Sequence, residues 1–278
     1  MPRQFSATIL MQRPWPLDVD ALASHVRARF PQIGLVEAMP GQVPNREAGL
    51  LTIDGGKVVI MCIPSPLPKE ALFAPLKTLR VWEPEPAIAK HYAHIIVSCG
   101  GDLPGVDGAK AYAAAVHFVA AAIAEMAPSV AAFWSTGWAL SQPEDFIAAT
   151  DTILDGRAPL GAWVSYATIV PRGFASSEAT GIVSYGLKHF LGRELELAPA
   201  PIDGKTAYRR VSAIAKAVMD RGAKLHDGQQ LVDPDRTFAM LVRERNYWLR
   251  RDQSAYVLIG EDSVIDAETL RPAERAVA

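Results

Sequence analysis

Cysteine is scarce in this chain and charge of either sign is nearly balanced, and each shortage removes a class of explanation. Only Cys62 and Cys99 occur in 278 residues. Each lies near the end of an apolar, β-like run, so the two thiols make no disulfide framework and read as reduced core residues. The 28 basic and 30 acidic residues leave a formal net charge of −2, and no global field then favours nucleic acid or an anionic membrane. Long apolar runs are missing too. The longest, 111–126, is interrupted by His117 and Glu125 and falls short of the roughly 20 residues that span a bilayer. The start, Met1-Pro2-Arg3-Gln4, leads straight into a strand pattern without the apolar stretch and cleavage site of a secretory leader. The expectation is a cytoplasmic protein whose mature chain begins here, with no membrane or nucleic-acid partner and no cofactor.

What is present is core material: half of the residues are hydrophobic, ample for a sizeable interior. Phe5 to Met11 reads as a strand that Pro14-Trp15-Pro16 ends. Asp18 is placed to cap a helix striped by Val19, Leu22, Val26 and Phe30 and stopped by Pro31. Strands are predicted over Ile33 to Met39, Leu50 to Ile53 and Val58 to Ile63, the last two joined by the hairpin signal Asp54-Gly55-Gly56. A short helix around Lys69 to Leu79 and a strand at His94 to Cys99 complete an α+β set that contains a ferredoxin-like βαββαβ pattern with one additional strand.

Asp107 is placed to cap an Ala-rich helix through Met126, apolar nearly all round and therefore expected to be covered on more than one side. After Pro128 the element order resembles the first half. It runs through a strand near Val130 to Trp134, a helix opened by a Ser141/Glu144 capping box, strands at Trp163 to Val170, Gly181 to Tyr185 and Glu194 to Leu197, and a helix from Thr206 to Arg221. Late strands are read at Phe238 to Leu249 and Ala255 to Ile259. The expected organisation is a first α+β lobe over 1–106, a buried linking helix over 107–127, a second lobe over 128–267 whose shared element order suggests a duplicate of the first, and a frayed tail over 268–278.

The segments Ala93-His94-Ile95-Ile96-Val97, Ala132-Phe133-Trp134-Ser135 and Tyr185-Gly186-Leu187-Lys188-His189-Phe190-Leu191-Gly192-Arg193-Glu194-Leu195-Glu196, in that order, resemble a bacterial family, the domain-of-unknown-function family four-two-six-one. The resemblance spans roughly residues 2 to 231. It implies an immunity or adaptor role near secretion and toxin systems, and brings no catalytic or binding residues with it.

Few residues offer chemistry. His91 and His94 are three apart, which on a strand sends them to opposite faces, so no metal site is expected. The loop 99–108, with Gly100 and Gly101, joins a strand to a helix start, where anions bind in many α/β proteins. It lacks a P-loop Lys and the GxGxxG spacing, and Asp102 and Asp107 would repel phosphate. Cys99 and His94 are five apart on one strand, facing opposite ways, and Phe133-Trp134-Ser135-Thr136-Gly137 is no nucleophile elbow. Trp134, Trp138 and Trp163 fall near strand ends, where aromatics plug a core or line a binding surface. Arg236, Arg243, Arg245, Arg250 and Arg251 with Tyr247 and Trp248 form a basic, aromatic stretch, but interleaved acids make it a self-paired face.

Two functions compete. One is a non-enzymatic protein-binding factor whose partner docks near Trp134 and Trp138. The other is a small-molecule-binding protein or enzyme with an interlobe pocket near His94, Trp134 and the Gly100-Gly101 loop.

Overall fold

Alternation builds the first sheet. In β1 (Arg3–Met11) Phe5, Ala7, Ile9 and Met11 point one way and Ser6, Thr8 and Leu10 the other. Asp18 then caps α1 (Val19–Arg29), its Oδ1 accepting the Ala21 N–H at 2.9 Å. Asp18→Ala is expected to cost about 1 kcal/mol, read as a lower denaturation midpoint at unchanged slope. β2 (Val36–Ala38), β3 (Ala48–Ile53) and β4 (Gly56–Ile63) follow. Asp54 at φ 47° and Gly55 at φ 80° make the tight turn of the β3–β4 hairpin, which the Asp-Gly-Gly signal predicts. The chain continues through α2 (Glu85–Ile88), β5 (Ala93–Gly101), α3 (Gly105–Met126), β6 (Ser129–Trp134), β7 (Ala139–Ser141), α4 (Pro143–Leu154) and α5 (Leu160–Trp163).

This computed structural model describes residues 3–39, 47–73, 78–79, 82–101, 105–169, 179–221, 225–232, 239–243 and 255–260. The chain is α+β and forms two compact units, Met1–Pro75 with Arg80–Ser165, and Leu76–Leu79 with Tyr166–Ala278. The first holds a seven-stranded sheet in the order β2-β3-β4-β5-β1-β6-β7, with every pairing antiparallel. It is wider than the five strands expected of the first lobe. β6 and β7, expected to open a second lobe at 128, belong to this sheet, because α3 crosses one face and returns the chain beside β1. The helix is therefore a cover rather than a linker, and the boundary falls at Ser165 instead of 106 and 127.

α3 has the length and apolarity of a membrane span, but 56% of that window is buried inside the protein. Every residue from Val116 to Ala124 is buried. The helix lies against β1 and β5 on one side and α4 and α1 on others. Phe30 meets Phe118 at 4.8 Å, and His25 and Arg29 of α1 reach Glu125 at 2.8 and 3.1 Å. Asp107 sits within its first turn instead of capping it. The predicted capping box of α4 is also replaced: its N-cap is Gln142, no side chain caps it, and Pro143 occupies the first turn. Of the helix expected over 69–79, Lys69–Leu72 is a 3-10 turn, and Thr78 instead pairs with Ala167 in an antiparallel bridge.

The second unit contains β8 (Ser165–Ile169), β9 (Thr180–Tyr185), α6 (Lys188–Leu191), β10 (Glu194–Ala200), α7 (Gly204–Arg221), β11 (Gln230–Val232), β12 (Ala239–Arg243) and β13 (Ala255–Gly260). Their order is β11-β12-β13-β10-β9-β8. β10 and β13 run parallel, whereas the first sheet has no parallel pair among its described strands, so the two sheets do not repeat one another. α7 packs on β9 and β10 and is capped by Asp203, whose Oδ1 accepts the Thr206 N–H at 2.8 Å.

Candidate functional site

The first sheet has one closed face and one open face. α3 covers the face that carries Phe5, Ala7 and Ile9, with Cys99, Val97 and Ile95 opposite them on β5. On the other face the register aligns Ala48, Met61, Ile96, Thr8, Phe133 and Leu140 in one row across the strands. A neighbouring row holds Leu50, Val59, Ser98 and Ser6. At the opposite flank, Leu10, Ala131 and Phe133 are covered by Leu72 and Ile88, with Trp82 and Trp138 packed on the edge of that cluster. Among the described residues nothing comparable shields the β3–β4 side: Val59 is 40% and Met61 41% exposed. A solvated sheet face normally carries polar residues, and here two exposed positions of β4 on this face are apolar.

His94 lies on the open face, in register with Leu10 and Ile63. It is buried, and its Nδ1–H donates to the Ser65 carbonyl at 2.8 Å. Burial lowers its pKa, the Ser65 carbonyl opposing and His91 adding to the shift. His91 Nε2 accepts the Leu67 N–H at 2.9 Å, and its Nδ1–H donates to the Ile88 carbonyl. Both imidazoles pin the 65–67 segment to the sheet. Among the described residues no three His, Cys, Asp or Glu side chains gather as metal ligands.

Trp134 does not reach the surface. It is 0% exposed on the closed face, stacked on Trp163 at 5.6 Å and 6.3 Å from Phe5. It is therefore a core plug, and the docking surface expected around it is corrected to that extent. His94 and Trp134 occupy opposite faces of one sheet, so no cavity of this unit can contain both. Trp138 is half-buried at a left-handed φ of 47° and stays on the open-face side, against the Leu10 cluster.

Behind Trp134 lies a polar residue that the sequence did not single out. His117 of α3 is fully buried. Trp163 Nε1–H donates to its Nδ1 at 3.1 Å, and its Nε2–H donates to the Phe146 carbonyl at 2.9 Å. Tryptophan can only donate, so the tautomer is set and both nitrogens are used. Burial pushes this imidazole down to about 3, with the Phe146 carbonyl opposing. The unfolded imidazole titrates near its ordinary value of 6.5, so protons favour the unfolded chain below that pH until the folded site itself takes one. Unfolding free energy measured against pH is expected to fall by about 2 kcal/mol between pH 6.5 and pH 5.

Gly100 and Gly101 end β5 beside Gln4 and Arg3. A Cβ on Gly101 would run into the Tyr112 hydroxyl, so its glycine is a packing requirement. Tyr112 also lines a cavity of about 620 Å³ with Asp54 and Phe118, where Asp54 Oδ1 is already engaged by the Leu35 N–H at 3.1 Å. Both thiols are pushed up to about 11 by burial, Glu47 adding to the effect at Cys62, which keeps them protonated and poor nucleophiles.

The second unit buries two carboxyl groups. Glu194 and Glu196 are both buried on β10. Glu194 Oε2 accepts the Ser184 hydroxyl at 2.7 Å and the Leu187 N–H at 3.0 Å, and Oε1 accepts the Gly186 N–H at 2.8 Å. Ser184 Oγ in turn accepts the Leu195 N–H at 2.8 Å. Burial raises the Glu194 pKa, and the Ser184 hydroxyl, the Gly186 amide and Lys188 pull it back. Tyr166 Oη, buried and without a hydrogen-bond partner, is pushed up by burial, by Tyr208 and by Glu194. The carboxylate is filled by the turn it holds, so it organises the β9–α6–β10 connection. The Glu-Leu-Glu-Leu alternation pointed to a strand, and burial by tertiary packing hid its role from sequence reasoning.

Compared with family models, curated proteins and solved structures, the chain has no match. The basic stretch from Arg236 to Arg251 lies outside the described residues, apart from the backbone of 239–243.

Proposed function

We propose that this chain is a non-enzymatic, cytoplasmic protein-binding factor that engages its partner through the open face of the first sheet. The exposed apolar pair Val59 and Met61, in register with Leu50 and Ile96, is the observation that carries this reading. Apolar side chains in a continuous row gain most from being covered by another protein. The half-buried Trp138 at the far side of the same face extends the surface originally placed around both tryptophans. The buried groups His91, His117 and Glu194 support the non-enzymatic part, because each spends both of its polar atoms on backbone or neighbouring side chains, and His94 holds the Ser65 carbonyl through Nδ1. The family resemblance adds an immunity or adaptor role in a bacterial secretion context.

The test is capture of binding partners from cells that express the protein, comparing wild type with Val59→Asp/Met61→Asp at matched circular dichroism. The substituted residues are exposed and on strand surfaces, so the fold is expected to persist. Loss of roughly 2 kcal/mol or more of binding, about a thirtyfold drop in affinity, is the expected outcome for a hot spot. A folded double variant that keeps every partner at full affinity removes the open face from consideration.

A further inference from the structure

The cavity of about 620 Å³ beside Tyr112 has apolar walls and a single charged residue. Its walls include Ile33 from the loop after α1, Ile53 from β3, Ala115 and Phe118 from α3, and Ile153 and Leu154 from the last turn of α4. Ile53 and Phe118 are buried and the other four half-buried. All belong to the first unit, and Ile53 lies on the sheet face opposite Val59 and Met61. Small side chains at Ala111, Ala114 and Ala115 leave the space between α3 and its neighbours open. Asp54 supplies the charge. Its carboxylate sits over Gly34, whose φ of 83° and missing Cβ leave room for it. Oδ1 accepts the Leu35 N–H at 3.1 Å, and among the described residues nothing donates to Oδ2. Ile153 and Leu154 bring the negative, C-terminal end of α4 to the same cavity. A cation already answers that end, since Lys110 Nζ donates to the Gly156 carbonyl at 3.2 Å, but Lys110 does not line the cavity.

We infer that this cavity binds an organic amine, with an apolar ring-sized body against α3 and α4 and an ammonium group at Asp54. The apolar walls select the body, and a volume of this size suits a fused ring system. The charge selects the end. A carboxylate or phosphate would meet Asp54 and the negative end of a helix with no lining cation to offset them. A bare metal ion would exchange its water for one carboxylate and hydrocarbon. A sugar would leave most of its hydroxyls against apolar walls without partners. Asp54 is exposed, so water screens the ammonium contact and its share of the affinity is modest. This inference goes beyond the protein-binding reading and uses none of the residues of the Val59–Met61 surface.

Titration of the isotopically labelled protein with tryptamine, tryptophol and 3-indolepropionate tests it, because the three share one indole body and differ at the end group. Tryptamine is expected to give saturable shifts at the Gly55, Gly56, Ala115 and Leu154 amides and the Ile33, Ile53 and Ile153 methyls, with a Kd of roughly 0.1–5 mM. Tryptophol is expected to bind roughly threefold or more weakly, and the anion more weakly still. Asp54→Asn keeps an acceptor for the Leu35 N–H and suits the Asn-Gly turn, so the fold is expected to persist while the preference for the amine disappears. Ala115→Leu, which fills the cavity with a good helix former, is expected to weaken all three ligands tenfold or more. Ala111→Leu, at an exposed position, serves if Ala115→Leu does not fold. Val59→Asp/Met61→Asp leaves binding unchanged. Absence of shifts at these residues, equal affinity for the three ligands, an amine preference that survives Asp54→Asn, or full binding in the filled variant overturns the inference.

Discussion

Val119→Asp is expected to leave the protein unfolded or insoluble at ordinary temperature. Val119 has no exposed surface and sits at the centre of the run from Val116 to Ala124, every residue of which is buried. With the sheet on one side and α1 and α4 on others, an aspartate there has no route to solvent. An unpaired buried carboxylate costs at least about 4 kcal/mol even when it takes up a proton, against a total stability of order 5 to 15 kcal/mol for an ordinary domain. Val119→Ala removes methyl groups without adding charge and is expected to lose about 2 kcal/mol. The two variants separate burial from helix propensity, because alanine is the better helix former. Thermal unfolding of both checks this. An unchanged melting curve for Val119→Asp would mean that α3 has a solvent side at this position.

The location of that helix was readable from composition because a surface helix needs a polar stripe, and 111–126 has almost none. The Asp54-Gly55-Gly56 turn and the Asp18 cap were equally legible, since both depend on residues within a few positions of one another. What the sequence hid was long-range. Ser129–Trp134 reads as a strand from its own residues, but only the crossover of α3 decides that it lies beside β1 and not in a new lobe. The same limit explains the sheet of the second unit, where β10 finds a parallel neighbour in β13 that lies far along the chain and carries no local signature.

The candidate site was legible in part. Trp138, expected on a binding surface, is half-buried and packs against the Leu10 cluster. Trp134, four residues earlier, is interior because strand alternation turns it towards α3. His94 and Trp134 were joined in one expected pocket by their prominence as residue types, and the pleat puts them on opposite faces. Val59 and Met61 drew no notice because alternating Val and Met in a strand is ordinary core chemistry. They become conspicuous only when the register shows that the covered face belongs to Val58, Ile60 and Cys62.

Glu194→Ala is expected to destabilise the second unit by several kcal/mol and to loosen the connection between β9 and β10. The substitution removes the acceptor for the Ser184 hydroxyl and for the Gly186 and Leu187 amides at once, and each stranded buried donor costs about 1 to 3 kcal/mol. Relief of the carboxylate's own desolvation offsets some of that loss. Glu194→Gln separates the contributions. Its amide oxygen can replace one carboxylate oxygen, but its NH2 group then faces donors where an acceptor is required, so it is expected to fall between wild type and Glu194→Ala. The pH dependence of this group runs opposite to that of His117. A carboxyl whose folded pKa is raised contributes stability below the ordinary carboxyl range, and that contribution is lost as pH rises through its folded value. Relative to wild type, Glu194→Gln is therefore expected to be closer in stability at high pH, where the wild-type charge is most costly, than at low pH. Amide hydrogen exchange at Gly186, Leu187 and Leu195 reports the local effect, and rates in Glu194→Ala equal to those of the wild type would show that the turn stands without the carboxylate.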